Sequence, residues 1–415
     1  MRIRRDTGLL LVGVLGAAAA ANAVRPVRRT GPLSILAFVL GMPVSEMPWH
    51  TVLGPSLVAA VAARGGGLRT GRGRLATALT AVSAVALLRV HRTAAAAGQV
   101  LELALIDGLG GGYRHGIADP ADPVLQRRPG RLAVPNPVVR QRYRVARDVR
   151  YGPDRRYHTL DVWHRPDLDH DARAPVLVQI HGGAWVSGRK EGQGEPLMAH
   201  LADRGWVCVT VNYRLSPRAD WPDHIIDVKR ALAWVKAHIA EYGGDPGFVA
   251  VTGGSAGGQL AALAALTPGR AEWQPGFESA DTSVAAAVTF YGVYDFLNRY
   301  GGGRDDMERW LQKRLFKSPA DRDRTRWDQA SPIGRVTPDA PPFFVLHGVN
   351  DSLFHVEQAR EFVRDLTAVS ANPVVYAELP GAQHAFDTLP SLRVYHTVRA
   401  VERFLAVVRG RSAAS

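Results

Sequence analysis

Apolar residues are distributed differently in the first quarter of the chain and in the remainder. Four stretches without a charged residue lie within the first 92 residues, at positions 7–24, 30–45, 47–63 and 75–88. A helix that spans a bilayer needs about 20 apolar residues, with about 17 as the lower limit. The first stretch exceeds this limit, the third is marginal, and the second is interrupted by Pro32 and Pro43. The pattern predicts two to four membrane spans within residues 1–92, and three is the number that we favour.

The charge of the chain agrees with a membrane-associated N-terminal region. The formal net charge is +13, and all but +3 of it lies within the first 92 residues. Arginines that flank apolar segments are typical of membrane topology signals. The remaining residues contain no basic stripe interleaved with aromatic residues, so nucleic-acid binding is not predicted. The arginines at 64, 69, 72 and 74 favour a cytoplasmic loop, whereas those at 25, 28 and 29 leave the side of the catalytic domain open.

A second interpretation of the N-terminus is a secretory signal. Arg2, Arg4 and Arg5 precede the first apolar stretch, which ends with Ala21-Asn22-Ala23, a pattern typical of a signal and its cleavage site. Further apolar stretches follow, so cleavage would not release the protein. We expect a multi-pass cell-membrane location with either interpretation.

Residues 93–142 are interpreted as a connector and as a candidate part of a cap over the site. Positions 93–109 have the pattern of a helix that ends at three consecutive glycines, and positions 119–137 are rich in proline and predicted to be irregular. A domain with its own core should fold without its anchor. We therefore expect a protein that starts near Gln141 to be soluble and active.

From Tyr143 onwards, short apolar runs alternate with helical patterns, which predicts a catalytic domain over residues 143–410. Several runs are apolar throughout, as in strands that are buried on both faces. The alternation predicts an α/β fold with a mostly parallel sheet and helices on both faces. Active sites in such sheets lie at the carboxyl ends of the strands. The predicted strands are 160–163, 176–180, 207–211, 248–252, 286–290, 343–346 and 374–379.

A serine follows the fourth of these strands within Gly253-Gly254-Ser255-Ala256-Gly257, which fits the pattern G-x-S-x-G. A helical stretch leaves the motif directly, so Ser255 lies on a strand-to-helix turn. Such a turn holds a nucleophilic serine in a strained conformation, and its glycines let strand and helix pack closely. We predict that Ser255 is a nucleophile, in preference to a serine that only caps the helix.

The sequence His181-Gly182-Gly183-Ala184-Trp185 directly follows the second predicted strand. Acyl transfer builds negative charge on the former carbonyl oxygen, and backbone N–H groups that are fixed in advance stabilise this charge. We expect an oxyanion hole at Gly182, Gly183, Ala184 and Ala256, with the last three as the main donors. His181 is expected to brace the loop, since no second ligand at metal-binding spacing stands near it. Neither a metal nor a cofactor is predicted.

The base of a serine nucleophile is a histidine that an acid orients, and in this fold the chain order is serine, acid, histidine. His384 lies in a loop of small residues after the last predicted strand, and Asp351 follows the strand before it. The carboxylate of Asp351 would orient the imidazole and stabilise the imidazolium. Asp295 and Asp387 are rival acids on less suitable loops.

These motifs, together with Asn212-Tyr-Arg-Leu-Ser-Pro217 and Tyr291-Gly-Val-Tyr-Asp295, make the chain resemble the hormone-sensitive-lipase-like branch of the α/β-hydrolases over residues 145–405. The resemblance implies the α/β-hydrolase fold and a carboxylic ester hydrolase, with Ser255, Asp351 and His384 as triad and small acyl esters or lipids as substrates. The branch usually has a third glycine where Ala184 stands. The N-terminal region resembles that of membrane-associated esterases of actinobacteria.

Two other functions stay open at this point. The HGGAW form also resembles kynurenine formamidases and isoprenylcysteine methylesterases, so an amide hydrolase of the formamidase or arylacetamide deacetylase type is an alternative. A non-catalytic, membrane-tethered binding module is another. The segment 296–332 interrupts the strand–helix alternation, and relatives place part of a cap over the acyl pocket here. An amphipathic surface helix that closes the core fits the same residues.

Overall fold

The computed structural model describes residues 2–27, 31–64, 66–115, 117 and 136–414. It begins with four helices, namely α1 (Arg2–Val24), α2 (Pro32–Glu46), α3 (Pro48–Arg64) and α4 (Gly71–Leu109). Helix α1 packs along the first half of α4 through small residues, since a Cβ added at Gly13 would lie 2.9 Å from the carbonyl oxygen of Ala76. Helix α3 packs on the same half of α4.

Two of the described helices contain a segment long and apolar enough to cross a membrane, namely Thr7–Val24 and Gly71–Leu109. This is one fewer than the three spans that we favoured from the sequence, because α3 has only 17 residues and α2 only 15. A signal sequence or the core helix of a soluble protein can meet the same criterion. The second half of α4 is indeed a core helix.

Helix α4 continues across residue 92, where the sequence placed the end of the membrane-spanning region, and it ends at Leu109, as predicted. The buried residues of this half belong to the hydrophobic core on one face of the sheet. A Cβ added at Gly108 would lie 2.7 Å from the carbonyl oxygen of Val374, so helix and sheet are in direct contact. This half is therefore core rather than cap. The core residues that it supplies are Ala97, Leu101, Ala104, Leu105 and Leu109.

A short helix, α5 (Asn136–Tyr143), leads into the catalytic domain. The rest of the irregular stretch predicted at 119–137 lies outside the described residues. Eight strands form one sheet in the order β1-β2-β4-β3-β5-β6-β7-β8. The strands are β1 (Arg144–Arg150), β2 (Thr159–Trp163), β3 (Ala174–Ile180), β4 (Val207–Val211), β5 (Gly244–Gly254), β6 (Ala286–Phe290), β7 (Phe343–Gly348) and β8 (Val374–Leu379).

All seven predicted strands are confirmed, and six of the strands, from β4 through β8 in the sheet order, are parallel. The missed strand, β1, pairs antiparallel with β2 at the edge of the sheet. Its charged residues are half-buried or exposed, so it lacks the apolar run by which the other strands were recognised. The sheet is mixed but mostly parallel, as the α/β prediction required.

Helices cover both faces of the sheet, so alternate residues of the strands enter two different cores. In β7, Phe343 and Val345 face one core, and Phe344 and Leu346 face the other. The order reverses at β3, which has β4 on one side and β5 on the other. Ligand sites of such sheets lie at the carboxyl ends of the strands next to this reversal. The covering helices are α6 (Glu195–Asp203), α7 (Asp223–His238), α8 (Ala256–Leu266), α11 (Glu357–Val369) and α12 (Leu392–Ala414), whereas α9 (Asp305–Leu311) and α10 (Arg324–Ala330) belong to the segment 296–332.

Candidate active site

Ser255 lies between β5 and α8, at the carboxyl edge of the sheet. Its backbone has φ 59° and ψ −122°, a conformation that costs energy for a residue with a side chain and that clusters at functional sites. The turn is tight, since a Cβ added at Gly253 would lie 2.5 Å from the carbonyl carbon of Gly257. The N–H of Ser255 donates to the carbonyl oxygen of Phe290 at 3.0 Å, which ties the turn to β6. The strand–turn–helix setting predicted for Ser255 is present.

His384 and Asp351 meet at the ends of β8 and β7. The Nδ1 atom of His384 lies 2.7 Å from Oδ2 of Asp351, so the carboxylate accepts a hydrogen bond from the ring and leaves Nε2 available on the other side. The other carboxylate oxygen of Asp351 accepts the N–H groups of Leu353 and Phe354, both at 2.8 Å. Two elements that are adjacent only in the folded sheet thus form an acid–histidine pair.

Asp351 is held in its ionised form although it is fully buried. Burial alone would raise its pKa, but the electrostatic interaction with His384 and the hydrogen bonds from His347 and His384 together hold the pKa well below its usual range. The Nε2 atom of His347 lies 3.3 Å from Oδ2 of Asp351 and 2.8 Å from the carbonyl oxygen of Phe354. An ionised carboxylate at this place can stabilise an imidazolium on His384.

The aromatic ring of Tyr291 lies between the serine turn and His384. A Cβ added at Gly254, the residue before Ser255, would lie 2.6 Å from the hydroxyl of Tyr291, and the ring centroids of Tyr291 and His384 are 4.5 Å apart. The hydroxyl donates to Asp387. The rings of Phe38 and Phe354 also lie against His384, each with centroids 5.5 Å apart. The contact from Phe38 comes from α2 and had no signal in the sequence.

The rival acids are engaged elsewhere. Asp387 is bonded to the hydroxyl of Tyr291, and its burial raises its pKa despite that bond. Asp295 accepts the N–H of Leu297 at 3.1 Å and pairs with the guanidinium of Arg299. Neither carboxylate is hydrogen-bonded to His384.

The loop after β3 lies against Ser255. A Cβ added at Gly182 would lie 3.1 Å from Cβ of Ser255 and 2.6 Å from the carbonyl oxygen of Gly254. The N–H of Gly182, one of the four expected donors, donates to Oε1 of Gln193 at 2.7 Å. The next three residues, Gly183, Ala184 and Trp185, have φ of 122°, 53° and 59°. Ala184 therefore adopts the left-handed region that favours glycine.

His181 braces this loop. Its ring stacks on that of Tyr213 with centroids 4.4 Å apart, and its Nδ1 lies 2.8 Å from the carbonyl oxygen of Gly182. The hydroxyl of Tyr213 donates to the carbonyl oxygen of His181 at 3.0 Å. Burial lowers the pKa of His181 to about 4, so the ring is neutral at pH 7. Trp185, at the end of the loop, donates from Nε1 to Gln259 at 2.9 Å.

A cavity of about 390 Å³ lies behind two aromatic residues that contact the site. Phe354 and Phe296 both line the cavity. Phe354 contacts His384, and Phe296 contacts Trp185 with ring centroids 5.4 Å apart. The segment expected to form a cap, 296–332, supplies much of the lining. The apolar residues around the cavity include Phe296, Met307, Leu311, Leu353 and Phe354.

The comparisons with known proteins agree with this arrangement. Residues 160–366 match the family model described as BD-FAE. "Probable carboxylic ester hydrolase LipM" of Mycobacterium tuberculosis is 49% identical over 98% of this chain and 95% of that protein. "Esterase LipQ" of the same organism is 46% identical over 76% of each chain. The similarity to LipM includes the N-terminal helices.

Among solved structures, Thermogutta terrifontis esterase 2 phosphonylated by sarin superposes with a TM-score of 0.53 at 26% identity. The superposition covers 62% of this chain and 92% of that one. It leaves out more than a third of this chain.

Proposed function

Because the chain belongs to the hormone-sensitive-lipase-like carboxylesterase branch of the α/β-hydrolases and is a serine-type carboxylic ester hydrolase, we propose that Ser255, His384 and Asp351 are its catalytic triad. The observation that carries this proposal is the 2.7 Å contact between His384 Nδ1 and Asp351 at the same sheet edge as the strained Ser255. The named relatives favour an ester over an amide substrate and an enzyme over a binding module.

The reaction follows from the positions of the proposed groups. The Oγ atom of Ser255 attacks the ester carbonyl, and its proton passes to Nε2 of His384 while Asp351 stabilises the imidazolium. The imidazolium then protonates the leaving alkoxide, which departs as an alcohol. Water attacks the acyl-serine and gives a proton to His384. That proton returns to Ser255 as the carboxylic acid is released.

The oxyanion of each tetrahedral intermediate needs donors that are fixed in advance. We propose the N–H groups of Gly183, Ala184 and Ala256. Ala256 is the first residue of α8, where the backbone N–H groups have no partner within the helix. The left-handed run after Gly182 is maintained by His181 and Trp185, so the two loop donors keep their direction without substrate.

We further propose that the N-terminal helices anchor the enzyme in a membrane. Helices α1 and α3 and the first half of α4 expose large apolar side chains that a soluble surface would rarely group together. Arginines flank these segments. The full-length protein should sediment with membranes, resist high-salt extraction and require detergent for release. Release by salt alone would contradict the anchor. The exposed residues include Leu11, Leu15, Leu53, Leu57, Val82 and Val85.

Covalent labelling tests the nucleophile directly. A fluorophosphonate probe should label the detergent-solubilised protein, and Ser255→Ala should abolish both labelling and the hydrolysis of 4-nitrophenyl acetate while leaving the circular dichroism unchanged. Ser279→Ala, in an exposed turn of the catalytic domain, is a matched control that should still be labelled. Near wild-type turnover by purified Ser255→Ala would contradict the assignment.

A further inference from the structure

Helix α2 lies directly over the catalytic loops and presents opposite faces to two different surroundings. Its inner face is buried and consists mostly of small residues, namely Ser34, Ala37, Gly41, Val44, Ser45 and Glu46. Its outer face consists of large apolar residues that are each 53–56% exposed, namely Leu33, Ile35, Leu36, Val39 and Leu40. The small residues let α2 approach the catalytic loops closely. No part of the described chain packs against its apolar outer face.

The inner face contacts the loops that hold the proposed acid and base. The hydroxyl of Ser352, the residue after Asp351, donates to the carbonyl oxygen of Ser34 at 3.1 Å. The ring of Phe38 meets that of His384 edge-on, with an interplanar angle of 84°. A Cβ added at Gly41 would lie 3.7 Å from Nε2 of Gln383. The helix is therefore a wall of the active site.

Polar contacts fix both ends of α2. At its start, the N–H of Gly31 donates to Asp306 at 2.7 Å, and Asp306 pairs with Arg304 of the cap segment. At its end, the buried carboxylate of Glu46 pairs with the buried guanidinium of Arg393 and accepts the hydroxyl of Ser391 at 2.7 Å. Breaking a buried ion pair leaves an uncompensated charge, so this end is held strongly.

The length and composition of α2 fit a helix in the plane of a membrane surface. Its 15 residues are too few to span a bilayer, which takes about 20. Its one charged residue is the buried Glu46, so nothing charged interrupts the outer face. A helix with one strongly apolar face inserts that face into the boundary between headgroups and acyl chains. The neighbouring helices α1 and α3, which we propose to lie in the same membrane, place α2 at that boundary.

We propose that α2 rests in the surface of a phospholipid bilayer and that the site behind it hydrolyses acyl esters resident in that bilayer. The inference rests on the proposed triad and anchor, and adds the substrate class. A helix with side chains is about 10 Å thick, so α2 alone separates lipid from His384. The cavity begins beside this helix, because Arg304 and Met307, which line it, flank the Asp306 that binds Gly31. An acyl chain leaving the bilayer thus enters between α2 and the cap segment.

Activity on two substrates tests the proposal with the full-length protein in phosphatidylcholine–phosphatidylglycerol vesicles. One substrate is 4-nitrophenyl palmitate incorporated in the vesicles, and the other is water-soluble 4-nitrophenyl acetate. The double variant Leu36→Gln/Val39→Gln makes the outer face polar without touching the site. It should lower kcat/KM on the palmitate roughly tenfold or more, because two apolar side chains no longer enter the lipid. Turnover of the acetate should stay within about twofold of wild type.

The control is Val145→Gln/Val369→Gln, which changes two exposed valines of the catalytic domain, 43% and 44% exposed, and should affect neither substrate. Equal loss on both substrates in the α2 variant would overturn the proposal, since α2 would then only support the triad. Unchanged activity on both would overturn it as well. A wild-type protein that hydrolyses neither substrate would contradict the proposed triad instead.

A spectroscopic measurement is independent of turnover. The chain has a single cysteine, the buried Cys208, so a cysteine introduced at the surface can be labelled selectively. An NBD fluorophore on Leu36→Cys should shift to the blue in vesicles and be quenched by spin-labelled lipids. The same fluorophore on Val369→Cys should keep the emission maximum of NBD in water and should not be quenched by these lipids. Identical spectra at the two positions would overturn the bilayer contact of α2.

Discussion

The side-chain oxygen of Gln383 accepts the N–H of Ser352 at 2.7 Å and the N–H of His384 at 2.9 Å. One amide oxygen therefore joins the loop that carries Asp351 to the loop that carries the proposed base. Gln383 is 2% exposed, so water cannot easily replace these bonds. We infer that Gln383 positions the acid–histidine pair without touching the substrate.

Gln383→Leu should lower kcat on a soluble ester roughly tenfold or more, because the loops lose their common acceptor and a displaced base reacts slowly. It also leaves two buried N–H groups unpaired, at about 1–3 kcal/mol each. Gln383→Glu keeps an acceptor oxygen and should recover much of kcat, with KM little changed in both variants. Full kcat in Gln383→Leu, or no advantage of Glu over Leu, would show that the bonds do not position the base.

Asp351→Asn should lower kcat by roughly 10³- to 10⁴-fold, since an amide neither stabilises the imidazolium nor favours the right tautomer. Asp387→Asn should cost much less, because Asp387 accepts from Tyr291 rather than from His384. Steady-state kinetics on 4-nitrophenyl acetate compares the two variants. Asp295→Asn is a third variant, which should cost less than Asp351→Asn because Asp295 pairs with Arg299 rather than with His384. If Asp387→Asn were the most damaging, the acid would be misassigned.

Stability should fall as the pH decreases from about 6.5 to about 4. Burial lowers the pKa of His224 to about 4, whereas an unfolded histidine has a pKa near 6.5. The unfolded chain therefore binds a proton in this window that the folded chain excludes, which costs about 1.4 kcal/mol per pH unit. His224→Gln should reduce the slope of the free energy of unfolding against pH by about this amount between pH 4 and 6.5. Above pH 7 the curves of the two proteins should be parallel. Parallel curves down to pH 4 would contradict the prediction.

A protein that starts at Gln141 should aggregate, contrary to the expectation from the sequence. It lacks the second half of α4, whose removal uncovers Val375 and other core residues under β8 and α12. A protein that starts at Arg92 retains these contacts and should remain more soluble. Size-exclusion chromatography after expression of both proteins checks this. Equal solubility would show that the core closes without α4.

The strand–turn–helix setting of Ser255 and the positions of seven strands could be predicted because their signals are local. The strained turn at Ser255 is encoded by neighbouring glycines between a strand and a helix, and buried parallel strands are continuous apolar runs. The edge strand β1 was not predicted, because its half-buried and exposed residues do not form a continuous apolar run. The pairing of His384 with Asp351 was predicted from the chain order of the motifs and from their places at the ends of neighbouring strands. The hydrogen bond between the two side chains forms only in the folded sheet.

The sequence by itself determined which residues are candidates for catalysis and which segments are apolar, since both depend on residue types and on the periodicity of neighbouring positions. Only the tertiary structure decided that the side chain of Gln193 accepts the N–H of Gly182 and that the second half of α4 packs in the core. It alone decided that Phe38 lies against His384, 346 positions away. The physical reason is that an apolar helix has the same pattern whether it meets lipid, a sheet or a catalytic ring. Its partner is chosen by long-range packing.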